Sequence, residues 1–489
     1  MSEFDLVIRG GTVVTGSDRY AADIGVEDGR VVALGKLGDS AERVVDARGM
    51  LVMPGGVDNH VHLDQPAPGV EMCDDFDTGT ASAAAGGTTT IICFSWQEKG
   101  QSLAAITADY HQKAKKARVD YAFHLTITDP TPTVLTEELP RLIAEGSRSV
   151  KIFMTYDGVR LNDAEVIRVL AEARRNGALV CVHAEHHDLL MWLTEQLVEA
   201  GLTAPKYHAW GKPMVVEREA VNRIVAFAEA LDVPIQVFHV SGVESAEEIA
   251  RAQARGLKVW AETCPHYLTL TADDLDRPGF EGAKFVFGPP ARTKADQKAL
   301  WSYIRRGVID VVSSDHSPTR FDDRKGKKVA GDNAPFNRIP NGIPGLAARL
   351  PVLFTEGVSK GRIDASAFVR LVSTNPAKLF GLFPRKGTIA IGSDADIVIF
   401  DANKSVTLTN AHMHHGGDYT PYEGYRTQGY PVATYVRGAL VFDGEKVVGP
   451  PGYGQFLARA PYALIKPRGR FSSPFNPVDR TLVEQTPLT

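Results

Sequence analysis

Cysteine is scarce in this chain. Cys73, Cys93, Cys181 and Cys264 are the only four in 489 residues, and no two form a C-x-x-C pair. That spacing argues against a disulfide framework and against a cysteine-ligated zinc site, and leaves small buried hydrophobes as their expected role. Long apolar runs are also missing, with nothing near the ~20 consecutive apolar residues that a membrane helix needs. There is no positive excess: 54 Lys and Arg against 59 Asp and Glu give a net charge of −5, so no basic footprint for nucleic acid exists. The start, Met1-Ser2-Glu3-Phe4-Asp5, is acidic and runs directly into alternating structure. No signal peptide is expected, and the expected location is cytoplasmic. What is present is ordinary globular material, 44 % hydrophobic and 23 % charged.

At about 150 residues per domain the length suggests about three units, although a (β/α)₈ barrel takes about 250 residues or more as one. Both chain ends read as short strands with turn punctuation: Phe4, Leu6 and Ile8 alternate with polar neighbours, and Ala395–Phe400, Val432–Val436 and Leu440–Phe442 share that texture. Between 53 and 385 short apolar runs alternate with helical stretches such as 163–176, 217–231, 245–255 and 294–306. Strand runs at 89–92, 121–125, 149–153, 179–182, 235–238, 258–261 and 311–314, with the run leading into His60, total eight. That is the count a (β/α)₈ barrel requires. The expected architecture is therefore α/β: a TIM-like barrel at 53–385 interrupting a small β-sandwich built from 1–52 and 386–460. The proline-rich segment 461–489 is expected to be an extended arm, lying on a neighbouring subunit or mobile. The run Asp322 to Lys328 is expected to be a solvated loop.

His60 and His62 end the first barrel strand. Residues i and i+2 of a strand share a face, so the two imidazoles project together and suit metal chelation, although a lone H-x-H is equally a structural pair. His183, His239 and Asp315 each end a further strand, where barrel active sites sit. Lys151 lies between Val150 and Ile152, so its amine faces the barrel interior. An unpaired buried ammonium is costly and sheds its proton. Lys151 is then either ion-paired, for example to Asp315, or a neutral amine that has captured carbon dioxide as a carbamate able to bridge two cations.

Pro54–His62 resembles the first metal motif of the amidohydrolase superfamily. The segments Gly86–Thr90, Lys151–Tyr156, Val182–Glu185, Ala261–Pro265, Ser314–His316, Ile339–Gly342, Asn375–Lys378 and Tyr422–Gly424 resemble, more closely, the cyclic-amide hydrolases: dihydropyrimidinase and D-hydantoinase. The resemblance spans about residues 8–457. It implies a dinuclear hydrolase that opens dihydropyrimidines or 5-substituted hydantoins to N-carbamoyl amino acids. His60, His62 and Asp315 would hold one metal, usually zinc, and His183 and His239 the second, with carbamylated Lys151 between them. A hydroxide bridging the metals would be the nucleophile and Asp315 the general base and acid. Tyr156 matches the tyrosine that binds the developing oxyanion, while Gly288 and Asn341 match positions whose main chain grips the ring amides. Homotetramers are common among such enzymes.

The chain departs from the pattern at Gly288, where serine or threonine is frequent, at Cys93-Phe94 and at Ser317-Pro318-Thr319. Leu63, Trp96 and Val159 are the expected contacts of the ring substituent. Allantoinase is the enzymatic alternative, disfavoured by Tyr156. A metal-free scaffold relative is the non-enzymatic one, disfavoured by the complete set of six ligand positions.

Overall fold

The computed structural model describes residues 3–38, 40–67 and 69–483. Eight parallel strands form its centre: β1 (Gly56–Val61), β2 (Thr88–Trp96), β3 (Asp120–Thr126), β4 (Ser149–Phe153), β5 (Leu179–His183), β6 (Ile235–Val237), β7 (Val259–Thr263) and β8 (Val311–Val312). They are hydrogen-bonded in sequence order. The ring closes just past β8, where Val61 bridges His316 and the His62 N–H donates to the His316 carbonyl at 2.8 Å. The eight-stranded expectation holds.

The two-residue period of a strand sorts side chains between the two layers. Val150 and Ile152 of β4 join Val180 and Val182 of β5 and helix residues Val166 and Leu170 in the outer core. Lys151 turns inward, its Nζ 4.2 Å from the centroid of the Phe238 ring. The covering helices start and stop on local signals. Helix Asp163–Asn176 is capped by Asn162, which exchanges hydrogen bonds with Glu165, and it ends at Gly177, whose φ of 70° suits a residue without Cβ. The runs at 235–238 and 311–314 end as strands sooner than their composition suggests. His239 (φ 40°) and Asp315 (φ 47°) take left-handed backbone, which breaks the extended chain. Near the start of β1, fully buried Arg349 reaches Asp58 Oδ2 at 3.3 Å and donates to the Val57 and Val312 carbonyls, each at 3.1 Å.

The chain ends meet in a six-stranded sheet, where Leu51–Pro54 pairs antiparallel with Ile397–Phe400. A four-stranded sheet of N-terminal strands completes this layer, with Ile8, Ile24, Val52, Ile397 and Tyr435 among its shared core. A buried ion cluster ties it to the barrel. Lys386 Nζ lies 2.6 Å from Asp120 at the start of β3, 3.0 Å from Asp394 and 2.7 Å from Asp396.

The C-terminal segment is described as far as residue 483. It lies on its own chain: Lys258 donates to the Leu464 and Lys466 carbonyls at 2.9 and 2.7 Å, Arg468 pairs with Asp232 at 3.0 Å, and Val478 is buried. The carbonyls of Leu464, in the short 3-10 turn Ala463–Ile465, and of Lys466 are satisfied by a basic side chain of the barrel's outer layer, which composition does not reveal. The last six residues of the segment, 484–489, lie outside the described residues. Among those described, no helix is long and apolar enough to cross a membrane.

Candidate active site

The strand ends bring the predicted residues together at one mouth of the barrel. His60 Nε2 is 3.0 Å and His62 Nε2 3.4 Å from Asp315 Oδ1, and ligand atoms of the three lie within 4.8 Å of one another. His183 and His239 meet edge to face, ring centroids 4.4 Å apart, and His239 stands 5.3 Å from His60. Tyr156 (φ 75°), His239 and Asp315 all sit in left-handed backbone. Three strained residues in one site are the concentration expected where geometry serves function.

The histidines are oriented from behind by residues to which no role was given from sequence. His60 Nδ1 lies 2.6 Å from Glu262 Oε1, His62 Nδ1 2.5 Å from Gln65 Oε1, and His183 Nε2 2.8 Å from Glu185 Oε2. Each acceptor orients its ring and favours the tautomer whose opposite nitrogen can give an electron pair to a metal, the usual arrangement behind metal-binding imidazoles. Glu262 also accepts from Asn59 Nδ2 at 2.5 Å. Glu262 and Glu185 were visible in sequence only as members of motifs, because their partners are made by folding. Glu262→Gln is expected to weaken divalent-metal affinity about 10–100-fold. Metal titration with a competing chelator would measure it, and unchanged affinity would remove Glu262 from this supporting role.

Charge follows from burial and neighbours. Burial would raise the Asp315 carboxyl, but His60 and His62 override it and hold it well below the usual carboxylate range. Burial lowers His239 and His62, and takes His183 down to about 4 against the pull of Glu185. His60 is the exception. Burial lowers it, but Asp315 and Glu262 on either side outweigh that and raise it. A metal would compete with a proton there, so uptake should be weaker in acid.

Lys151 Nζ is buried and has no hydrogen-bond partner. Its surroundings are the Phe238, Phe153 and Phe94 rings, with centroids at 4.2, 4.7 and 5.3 Å. Burial pulls it down to about 8, against Asp315 and Glu262. Of the two expectations for this lysine, a direct ion pair is not formed. The orphaned amine, together with acceptor nitrogens and one carboxylate, is a donor set that fits divalent cations.

Around this centre, the Tyr156 hydroxyl is 3.3 Å from Glu185 Oε2 and 3.1 Å from Lys212 Nζ. A Cβ on Gly288 would lie 2.3 Å from that hydroxyl, which places Gly288 beside it. Asn341 is exposed on the next loop. Trp96 has its ring 6.3 Å from His62 and 5.3 Å from Phe153, and half-buried Val159 packs in the same cluster. Leu63 belongs to the same cluster but is fully buried, with its side chain over Gly79 of helix Phe76–Ala85. The chain turns after His62 and aims Leu63 into the layer between barrel and helix.

The Asp322–Lys328 run is not simply a solvated loop. Lys327 is buried, and its ammonium donates to the carbonyls of Val286, Pro340 and Gly342 at 2.9, 2.7 and 2.7 Å. It thereby staples together the two loops that carry Gly288 and Asn341. Converging carbonyls replace water as its solvation.

The amidohydrolase family model matches residues 51–441. The chain is 45 % identical over 460 residues to the D-hydantoinase of Ralstonia pickettii, covering 94 % of this chain and 99 % of that protein. It is 45 % identical over 463 residues to the D-hydantoinase of Geobacillus stearothermophilus, covering 94 % and 97 %. The crystal structure of dihydropyrimidinase from Brevibacillus agri superimposes with a TM-score of 0.90 at 44 % identity, over 94 % of this chain and 99 % of that one. With its eight-stranded barrel and its cluster of metal-binding side chains, the chain belongs to the amidohydrolase family of hydrolytic enzymes, within the dihydropyrimidinase and D-hydantoinase group.

Proposed function

We propose that the protein hydrolyses the cyclic amide of dihydropyrimidines or 5-substituted hydantoins to N-carbamoyl amino acids. The observation that carries this reading is the convergence of His60, His62 and Asp315 beside the His183–His239 pair and the unpartnered Lys151 amine. Two divalent cations, most simply zinc, fit the set, held by His60, His62 and Asp315 and by His183 and His239, with a carbamate on Lys151 shared between them. When bound they would supply Lewis acidity toward a carbonyl oxygen and a lowered pKa for water.

The side chains account for the remaining chemistry. Asp315, kept ionised by its histidines, accepts the proton of the attacking water at Oδ and returns it to the leaving ring nitrogen. The Tyr156 hydroxyl donates to the amide oxygen as charge gathers there. Gly288 and Asn341 hold the ring amides through main-chain groups, on loops that Lys327 staples. Trp96 and Val159 form the apolar wall for a ring substituent.

We also read 1–52 with 386–460 as one β-sandwich unit, 53–385 as the catalytic barrel, and 461–489 as an extended C-terminal tail. The pairing of Leu51–Pro54 with Ile397–Phe400 supports that division. A homotetramer is what the resemblance implies, and light scattering on the purified protein tests it.

The deciding experiment is initial rates of the zinc-loaded protein on dihydrouracil, a 5-aryl hydantoin, allantoin and dihydroorotate. Turnover of either of the first two is expected, with Asp315→Asn slower by about 10²–10⁴-fold, the usual share of a general acid–base group. Cleavage of allantoin alone would overturn the reading of Tyr156.

A further inference from the structure

Lys212 is a buried cation at the site with no part in the mechanism above. Its side chain is 6 % exposed, with Nζ 3.1 Å from the Tyr156 hydroxyl and 3.4 Å from Glu185 Oε2. Its main chain is held on both sides: the N–H donates to the Ala209 carbonyl at 3.3 Å, and the carbonyl accepts from the Arg292 guanidinium. Arg292 is fixed in turn by Glu217 at 3.2 Å. The same turn is fastened to the neighbour of Gly288, since His208 Nε2 lies 2.8 Å from the Phe287 carbonyl. A Cβ at position 288 would stand 2.3 Å from the Tyr156 hydroxyl and 2.9 Å from Lys212 Nζ. The bare glycine makes the space in which the ammonium and the phenol meet.

An ammonium has three donors and no acceptor, whereas a phenol carries one proton. Lys212 can therefore only donate to the Tyr156 oxygen, and the phenol proton must leave in another direction. In the free protein it points to Glu185 at 3.3 Å, a long contact to a carboxylate already engaged by His183 at 2.8 Å. That bond is weak enough to exchange for a better acceptor.

We propose that Lys212 is a positioning residue for Tyr156: it holds the phenol oxygen from behind, so that the hydroxyl proton is presented to the amide oxygen of a bound ring. It also places a fixed positive charge behind that donor as negative charge develops. The proposal rests on the role of Tyr156 given above.

The test is a double-mutant cycle in the metal-loaded enzyme with wild type, Lys212→Met, Tyr156→Phe, the double variant and Lys212→Arg. Tyr156→Phe should lower kcat about 10²–10³-fold, as for loss of one oxyanion donor. Lys212→Met should lower kcat about 10–100-fold with KM changed less than about threefold, because the contact matters in the transition state. The double variant should be no slower than Tyr156→Phe within about threefold, since Lys212 acts through that hydroxyl. Lys212→Arg should recover most of the kcat lost in Lys212→Met. Metal content, measured alongside, should match wild type, whereas the unfolding midpoint of Lys212→Met should fall because Glu185 loses its buried cation; if Lys212→Met does not fold, Lys212→Gln takes its place in the cycle. Effects that multiply in the double variant, or a wild-type kcat for Lys212→Met, overturn the proposal while leaving Tyr156 in place. A wild-type kcat for Tyr156→Phe would instead remove the tyrosine's role, and Lys212's with it.

Discussion

Lys151→Ala is expected to lower cyclic-amide hydrolysis on the order of 10³-fold, the scale of losing a preorganised charge at a reaction centre. It should also leave the protein short of metal. The reason lies in the environment of the amine: buried, unpartnered, walled by three aromatic rings and drawn down to about 8 by burial. A neutral amine at that position is a nucleophile for carbon dioxide, and the carbamate we propose would convert an electrostatic liability into a bidentate anion. Alanine removes both oxygens but leaves a cavity. A short-chain carboxylate such as propionate should enter it and restore part of the metal content and part of the rate. The fold should persist at some cost for the cavity, because no hydrogen bond or ion pair of Lys151 is lost. Metal analysis and rates with and without propionate check this, and full metal and full activity in the variant would sink the carbamate.

Lys386→Met should produce the largest loss of stability. Its ammonium faces Asp120, Asp394 and Asp396 within 3.0 Å, and removing one side of a buried charge cluster costs about 3–5 kcal/mol. In the native protein burial raises the Asp120 carboxyl, but Lys386 and Arg437 more than compensate and hold it low. Asp396 is raised, because burial outweighs the same lysine. Without Lys386 these folded carboxyls should titrate above their unfolded values. A carboxyl raised in the folded state binds more protons folded than unfolded, so the variant loses stability as pH climbs through that window. The deficit against wild type should be largest near pH 7 and smaller near pH 5. Urea unfolding at both values measures it. Equal midpoints for the two proteins at both values would mean that Arg437 on Asp120 and Arg385 on Asp394 neutralise the cluster without Lys386.

The ligand residues were legible because their positions obey strand geometry. His60 and His62 share a face through a two-residue period, and Lys151 is inward because Val150 and Ile152 are outward. Their supporters were not. Glu262 lies 202 residues from His60, and no local pattern announces that pairing. Lys327 was hidden in a charged run, since charge predicts solvation unless folding brings carbonyls around it. Leu63 shows the converse limit, because an apolar residue beside a site is pocket or core according to a loop's turn.

By itself the sequence determined the eight-strand alternation and the placement of His60, His62, His183, His239 and Asp315 at one end of the barrel, both consequences of repeat and period, whereas their role as metal ligands with Lys151 is what the resemblance implies. Only the tertiary structure decided which ring nitrogen of His60, His62 and His183 meets its supporting acceptor, why Lys151 lacks a partner, what Lys212 and Lys327 hold, and that the C-terminal segment as far as residue 483 lies on its own barrel. These are contacts between distant segments, chosen by burial and by the need of every buried polar group for a partner.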